Sequence, residues 1–247
     1  MAQFAEKANK AAKELSATTT AYTNASLIFY QQGLSDEEVE KRTEVTLKMA
    51  NASRQSAEEV SSQLTAVWNN FYDGSKSLEY YADVLTALGA ATASSSSEIS
   101  AGLQKFASIG ETVGLSYEYA ASAMATITAK SRESAETVGN ALKTLFARMQ
   151  SLKLGDTLED GVDLNKYAAA LEKVGVHVLD ANNELRDMDD ILDDLMERWE
   201  NLDRTTQTAL AQTVAGQRQY AQFMTLMNQS DFFKANVGVA EGSEGTL

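Results

Sequence analysis

Apolar residues recur along this chain at the spacing of a helix. Between residues 56 and 72, Val60, Leu64, Val67, Trp68 and Phe71 fall at i, i+4, i+7, i+8 and i+11, forming one stripe at a period of 3.6. Ser56 stands ahead of the stripe with Glu59 three residues on. That is the spacing of a capping box, in which the hydroxyl accepts an orphan amide and the carboxylate reaches back to the cap amide. The same start recurs at Ser35 with Glu38 and at Ser95 with Glu98, each ahead of helical patterning. The pattern predicts about ten helices joined by short Gly or Ser breaks.

An internal repeat overlies the pattern. RQSAEEVSSQLTAVWNNF from Arg54 is matched by RESAETVGNALKTLFARM from Arg132, 78 residues later. The apolar positions coincide in register: Val60 with Val138, Leu64 with Leu142, Val67 with Leu145, Trp68 with Phe146, Phe71 with Met149. A Leu-Ser start precedes each copy, at Leu34-Ser35 and Leu115-Ser116. A weaker match follows, YADVLTALG from Tyr81 against YAAALEKVG from Tyr167. Duplicated units bury their apolar faces against one another, so the copies are expected to pack as one body. Arg54 and Arg132, just ahead of equivalent helix starts, suggest a repeated loop-fixing or hydrogen-bonding role.

One stretch departs from the helical period. VHVLDANNELRDM, residues 176 to 188, alternates around Asp180-Ala181-Asn182-Asn183, and Asn tolerates a positive φ, so a small hairpin is predicted. Helix resumes with Met188, Ile191, Leu192, Leu195, Met196 and Trp199 on one face and carboxylates on the other. Gly238 to Leu247 is too polar and glycine-rich to fold alone. The fold class expected is mainly α, a multi-helix bundle with an internal duplication and one small β-hairpin. Its parts are N-terminal helices (1–33), a first repeat unit (34–110) and a second (111–175). The hairpin with an acidic and a C-terminal helix (176–230) and a flexible tail (231–247) complete it.

Composition narrows the chemistry. With 44% hydrophobic residues in 247, a sizeable core is available, and with no proline nothing breaks helices from within. The absence of cysteine removes disulfides and thiolate sites, and a single histidine, His177, removes multi-histidine metal sites. The formal charge of −14 disfavours stable nucleic-acid binding. Most of it lies in residues 156–203, where 15 acidic and 4 basic groups give −11. The start, MAQFAEKANKAAKEL, is too charged for a signal peptide, and the uncharged run Leu15–Ser35 is too polar to span a membrane.

The sequence holds no GxSxG elbow, no GxxxxGK(S/T) phosphate loop and no GxGxxG after a strand. Asp180, Asn182 and Glu184 resemble the start of a calcium loop, but Leu185 and Ile191 stand where its Gly and bidentate Glu belong. Asp189, Asp190, Asp193 and Asp194 are read as a solvated helix face, so that Asp189→Asn with Asp193→Asn leaves folding intact. His177 is read as a structural histidine, and Trp68, Phe146 and Trp199 as core aromatics. No catalytic, cofactor-binding or metal-ligating residue is assigned.

Six strings go beyond composition. YQQGLSDEEVEKRTEVTLKMAN from Tyr30, LTAVWNNFYDGSKSLEYYADVLTALGAATASSSSEI from Leu64 and GLSYEYAASAMATITAKSRESAETVGNALKTLFARMQSLKLGDTLEDG from Gly114 come first. LNKYAAALEKVGVHV from Leu164, DMDDILDDLMERW from Asp187 and ALAQTVAGQRQYAQFMTLM from Ala209 follow in order. Together they resemble the phage tail tape measure family, in the region typical of TP901-type minor tail proteins, over roughly residues 18 to 230.

The resemblance implies a structural protein of the tail-tube lumen that helps set tail length, takes part in assembly and leaves ahead of DNA at ejection. It implies host cytoplasm during assembly and the virion tail afterwards. The implied partners are its own copies and the tail tube, tail tip and tail assembly chaperone proteins. It implies no catalysis, no cofactor and no metal. Fully helical and extended, this chain reaches only about 370 Å at 1.5 Å per residue, so a piece of a longer protein is expected. Two other readings compete: a helical adaptor of cellular origin without enzymatic activity, and a cell-wall-cleaving enzyme.

Overall fold

A computed structural model describes residues 2–150, 152–153, 163–164 and 166–247. Thirteen helices run in order among them. The first eight are α1 (Ala2–Glu14), α2 (Thr19–Gln31), α3 (Asp36–Ser53), α4 (Ala57–Phe71), α5 (Leu78–Ala91), α6 (Ser96–Thr112), α7 (Tyr117–Ser131) and α8 (Ala135–Gln150). An antiparallel pair of two-residue strands follows, β1 (Leu152–Lys153) and β2 (Asp163–Leu164), with Leu152 opposite Leu164. Then come α9 (Lys166–Lys173), α10 (Met188–Trp199), α11 (Arg204–Val214), α12 (Tyr220–Asn228) and α13 (Ser230–Glu241). Thirteen exceeds the expected ten because several breaks carry no Gly or Ser signal: α12 and α13 are separated by Gln229 alone.

Local chemistry sets the helix ends. Ser35, Ser56 and Ser95 each form the reciprocal capping box expected of them, with Glu38, Glu59 and Glu98. Gly33 and Gly114 hold φ of 78° and 68° and close α2 and α6 with the same pair of bonds. Gly33 N donates to Tyr30 O and Leu34 N to Phe29 O; Gly114 N donates to Glu111 O and Leu115 N to Gly110 O. Arg54 and Arg132 occupy the same left-handed conformation at the ends of α3 and α7, with φ of 57° and 60°. A side chain at such a φ is uncommon, and its occurrence at both arginines that precede matched helices gives the two turns one geometry. Arg132 further donates Nη1 to Ala93 O.

Packing centres on α7. Every residue from Tyr119 to Thr128 is buried, and α5, α6, α8, α12 and α13 pack around it. Its small side chains, Ala120, Ala121, Ser122, Ala123 and Ala125, let that many neighbours approach. The pair α6 and α8 is closer still, since a Cβ on Gly139 would stand 2.6 Å from Gly102 O. The matched stripes both face inward on α6. Val60, Leu64, Val67 and Trp68 of α4 are buried on one side, and Val138, Leu142, Leu145, Phe146 and Met149 of α8 on the other. Trp68 meets Phe29 of α2 at 6.0 Å between ring centroids, and Phe146 meets Phe106 of α6 at 5.9 Å. One continuous apolar core draws residues from Phe29 to Ala240, and a small satellite of Ala8, Ala12, Tyr22 and Leu47 ties α1 to α2 and α3.

Two readings of the sequence change. Residues 176–188 close on a single antiparallel bridge, Leu179 with Leu185, instead of a ladder. Val176 and Val178 point into the core, and the Asp180 carboxylate accepts the amides of Asn182 and Glu184 to shape the turn. The segment 231–247, expected as a flexible tail, is folded as α13 and a closing turn. Phe233, Asn236 and Ala240 are buried, Asn236 Nδ2 donates to Thr126 Oγ1 of α7, and the buried Asp83 of α5 accepts the amides of Gly245 and Leu247. Docking supplies what local propensity does not, because Val237, Gly238 and Val239 are poor helix formers.

Val60 and Val138 are 1% and 0% exposed. Val60→Asp and Val138→Asp are each expected to destabilise the fold by about 4 kcal/mol, the cost of an unpaired charge in an apolar core. Urea melts of the two variants beside wild type measure it, and unchanged midpoints would remove both residues from the core.

Candidate functional site

A cluster of polar contacts lies where α10 meets the first turn of α7. Main chain brings the two together: Met188 N donates to Val113 O and Gly114 O at the α6–α7 turn. Only glycine fits at 114, which combines a positive φ with the Asp187 carboxylate lying where a Cβ would stand. In the first turn of α10, both carboxylate oxygens of Asp189 accept the amide of Ser116, at 3.1 and 3.3 Å. Ser116 is itself the N-cap of α7, accepting Tyr119 N through its hydroxyl. A further turn along, Asp193 accepts a short hydrogen bond from the Tyr119 hydroxyl. Arg186 completes the edge, donating to Asp194 at 2.7 Å and to His177 O at 2.8 Å.

Electrostatics favour this placement, because the positive end of the α7 dipole faces the carboxylates. Burial nevertheless dominates at Asp189 and lifts its carboxyl to about 6, against the downward pull of the Ser116 hydrogen bonds and with the charges of Asp193 and Asp187 adding to the rise. Burial, then the bond to Asp193, pushes the Tyr119 phenol far above its ordinary range and keeps it a donor. The adjoining cavity, lined by Val113, Met149, Leu185 and Ile191 among others, holds about 80 Å³. The junction acts as an interhelical tie.

The solvated-face reading of α10 is therefore corrected at Asp189 and Asp193, which hold α7, while Asp190 remains exposed. His177 lies at the surface with Nδ1 2.8 Å from Glu172 Oε2; its backbone neighbours, not its ring, enter the core. Trp68, Phe146 and Trp199 are core residues, and Trp199 also donates Nε1 to Asn228 Oδ1. Asp180, Asn182 and Glu184 form a self-contained turn. Among the described residues no cluster of three or more His, Asp or Glu is placed to hold a metal ion. Asp156, Glu159 and Asp160 of the acidic stretch lie outside the described residues. Sequence reading missed the tyrosines: Tyr80, Tyr81, Tyr117 and Tyr119 are buried and hydrogen-bonded through their hydroxyls. Their signal was the paired spacing YY and YEY at two helix starts.

Polar residues spent on helix ends and helix junctions, around an apolar core, define a mainly helical module. Residues 9–216 match the family model described as phage-related minor tail protein, and the chain belongs to that family. Membership makes it a structural component of a phage tail, associated with other tail proteins and located in the virion tail, in a family that is typically non-enzymatic. It sets aside the reading as an adaptor of cellular origin. The match runs from within α1 through α11 and ends at Gly216, before α12 and α13. No solved structure matches the chain. Among the described residues no helix is long and apolar enough to cross a membrane.

The upward shift at Asp189 fixes a sign. Its ionised form is disfavoured in the fold, so the stability it contributes is fully present below the unfolded carboxylate value of about 4 and is lost as pH rises through about 6. Thermal melts from pH 4 to 7 should show this component in wild type and not in Asp189→Asn; superimposable profiles would refute the assignment. Tyr119→Phe is expected to cost about 2 kcal/mol, the value of a hydrogen bond to a charged group. A double-mutant cycle with Asp193→Asn should recover most of that as coupling.

Proposed function

We propose that this chain is the helical module of a TP901-type tape measure protein, which occupies the lumen of the tail tube, contributes to tail length and assembly, and leaves ahead of DNA at ejection. The observation that carries the reading is the order of the six matching strings, which run from Tyr30 to Met227 inside one folded body. In this reading it is made in the host cytoplasm and assembles with its own copies and with tail tube, tail tip and tail assembly chaperone proteins. An acidic surface suits a lumen through which DNA passes, since it offers the phosphate backbone no electrostatic hold. We also read the module as a duplication. Its support is the shared geometry at Gly33 and Gly114 and at Arg54 and Arg132, and the two stripes placed on either side of α6.

Cross-linking mass spectrometry on intact virions tests the location. Links from exposed lysines such as Lys10, Lys143 and Lys234 to the inner face of the tube protein are expected. Links confined to proteins of the tail exterior would overturn the lumen assignment.

A further inference from the structure

Where α4 gives way to α5, a second feature adjoins the α7–α10 tie and shares Ser116 with it. The loop after Tyr72 is folded by Asp73, whose Oδ1 accepts Ser75 N, and by Gly74 at a φ of 87°. Beneath it lies a cavity of about 230 Å³ with a floor of tyrosines. Tyr81 meets Tyr117 at 5.0 Å and Tyr80 at 5.9 Å between centroids, the latter edge to face. All three hydroxyls are committed as donors: Tyr80 to Glu118 Oε1, Tyr81 to Phe71 O and Tyr117 to Tyr81 O. The rings are thus held in place before any ligand arrives, and a fixed aromatic face carries a negative quadrupole.

The rim is negative as well. Asp73 and Glu118 line the cavity, neither ion-paired among the described residues, and Glu241 at the end of α13 is near enough for its charge to act on Tyr80. Among the described residues the one cation in the cavity wall is Lys76, whose ammonium sits 4.6 Å from the centroid of Tyr80 and is ion-paired with no carboxylate. It stands on an exposed loop. The cavity therefore already holds a cation against an aromatic face, supplied by a side chain that can swing out into water.

From this geometry we infer that the tyrosine-floored cavity between the α4–α5 loop and α7 is a docking site for an arginine or lysine side chain of a partner protein, with Lys76 as the resident cation it displaces. A guanidinium stacks on Tyr80 and takes Asp73 and Glu118 as its hydrogen-bond acceptors. Charge complementarity favours the choice, because a chain of net −14 meets cationic partners readily. The inference does not depend on the lumen assignment.

NMR titration of the isotope-labelled chain tests it, with Nα-acetyl-arginine amide, tetramethylammonium and an acetyl-Ala-Ala-Arg-Ala-Ala-amide peptide as separate probes. Saturable shifts are expected at the rings of Tyr80 and Tyr81 with the peptide at least as effective as the capped amino acid. Lys76→Ala is expected to tighten binding by about two- to fivefold, the fold-change of one exposed cation–π contact. Tyr80→Leu should abolish it. Asp73→Asn, on the exposed loop, should weaken it without touching the core. Shifts of equal size at the exposed Tyr220, no saturation up to about 10 mM in wild type and Lys76→Ala, or unchanged affinity in Lys76→Ala would overturn the site. Binding of the small cations without the peptide would overturn the protein side chain as its ligand.

Discussion

A helix buried on every side is the constraint around which this molecule is arranged. From Tyr119 to Thr128, α7 has no solvent face. Its backbone groups along this stretch are therefore satisfied from inside the protein, while its ends, at Ser116 and Arg132, lie at the surface. Among its buried side chains Thr126 accepts from Asn236, whereas the hydroxyls of Ser122 and Thr128 find no partner among the described residues. Its caps and neighbours hold the ends. Ser116 caps the start, Asp189 takes the cap amide, and the chain leaves through Arg132 in a left-handed turn. An ordinary amphipathic helix tolerates a loosely placed neighbour because water completes its hydrogen bonds. Here each surrounding element has to stand in one place, and the rest of the packing inherits that order.

The carboxylates of α10 show how a charge run acquires structure. On a helical wheel Asp189, Asp190, Asp193 and Asp194 form one polar face, and nothing in the local sequence distinguishes them. In the fold Asp189 and Asp193 face the positive end of α7 and a phenol, Asp194 faces Arg186, and Asp190 faces water. The distinction is made by another helix some seventy residues away in sequence, so a single-helix reading could not contain it. The same reasoning applies to the C-terminal segment, whose Gly and Val content argues against helix and whose docking on α5 and α7 overrides it.

What the sequence did contain was local and periodic. Three capping boxes, the buried stripes of α4 and α8, and the glycines that end α2 and α6 all follow from interactions within a few residues. The tyrosine floor lay in view as YY and YEY without a meaning, because its geometry comes from bringing α4, α5 and α7 together. The α6–α8 approach was equally silent: Gly102 and Gly139 read as small residues in helices, and only the fold shows that Gly139 is small on account of the Gly102 backbone and Gly102 on account of the Met124 side chain. Membership of a tail family came from strings of residues in order, with no chemical motif, as suits a protein whose family role is structural.

Asp83 reads its partner through the main chain. The buried carboxylate receives the amides of Gly245 and Leu247 and touches none of their side chains through those bonds. Recognition of that kind is blind to most of the sequence it holds. The closing turn can drift in composition so long as position 245 keeps its positive φ and neither donor becomes proline, which lacks the hydrogen. An anchor that specifies backbone shape instead of residue identity lets this segment evolve new surfaces while it remains fastened in the same place.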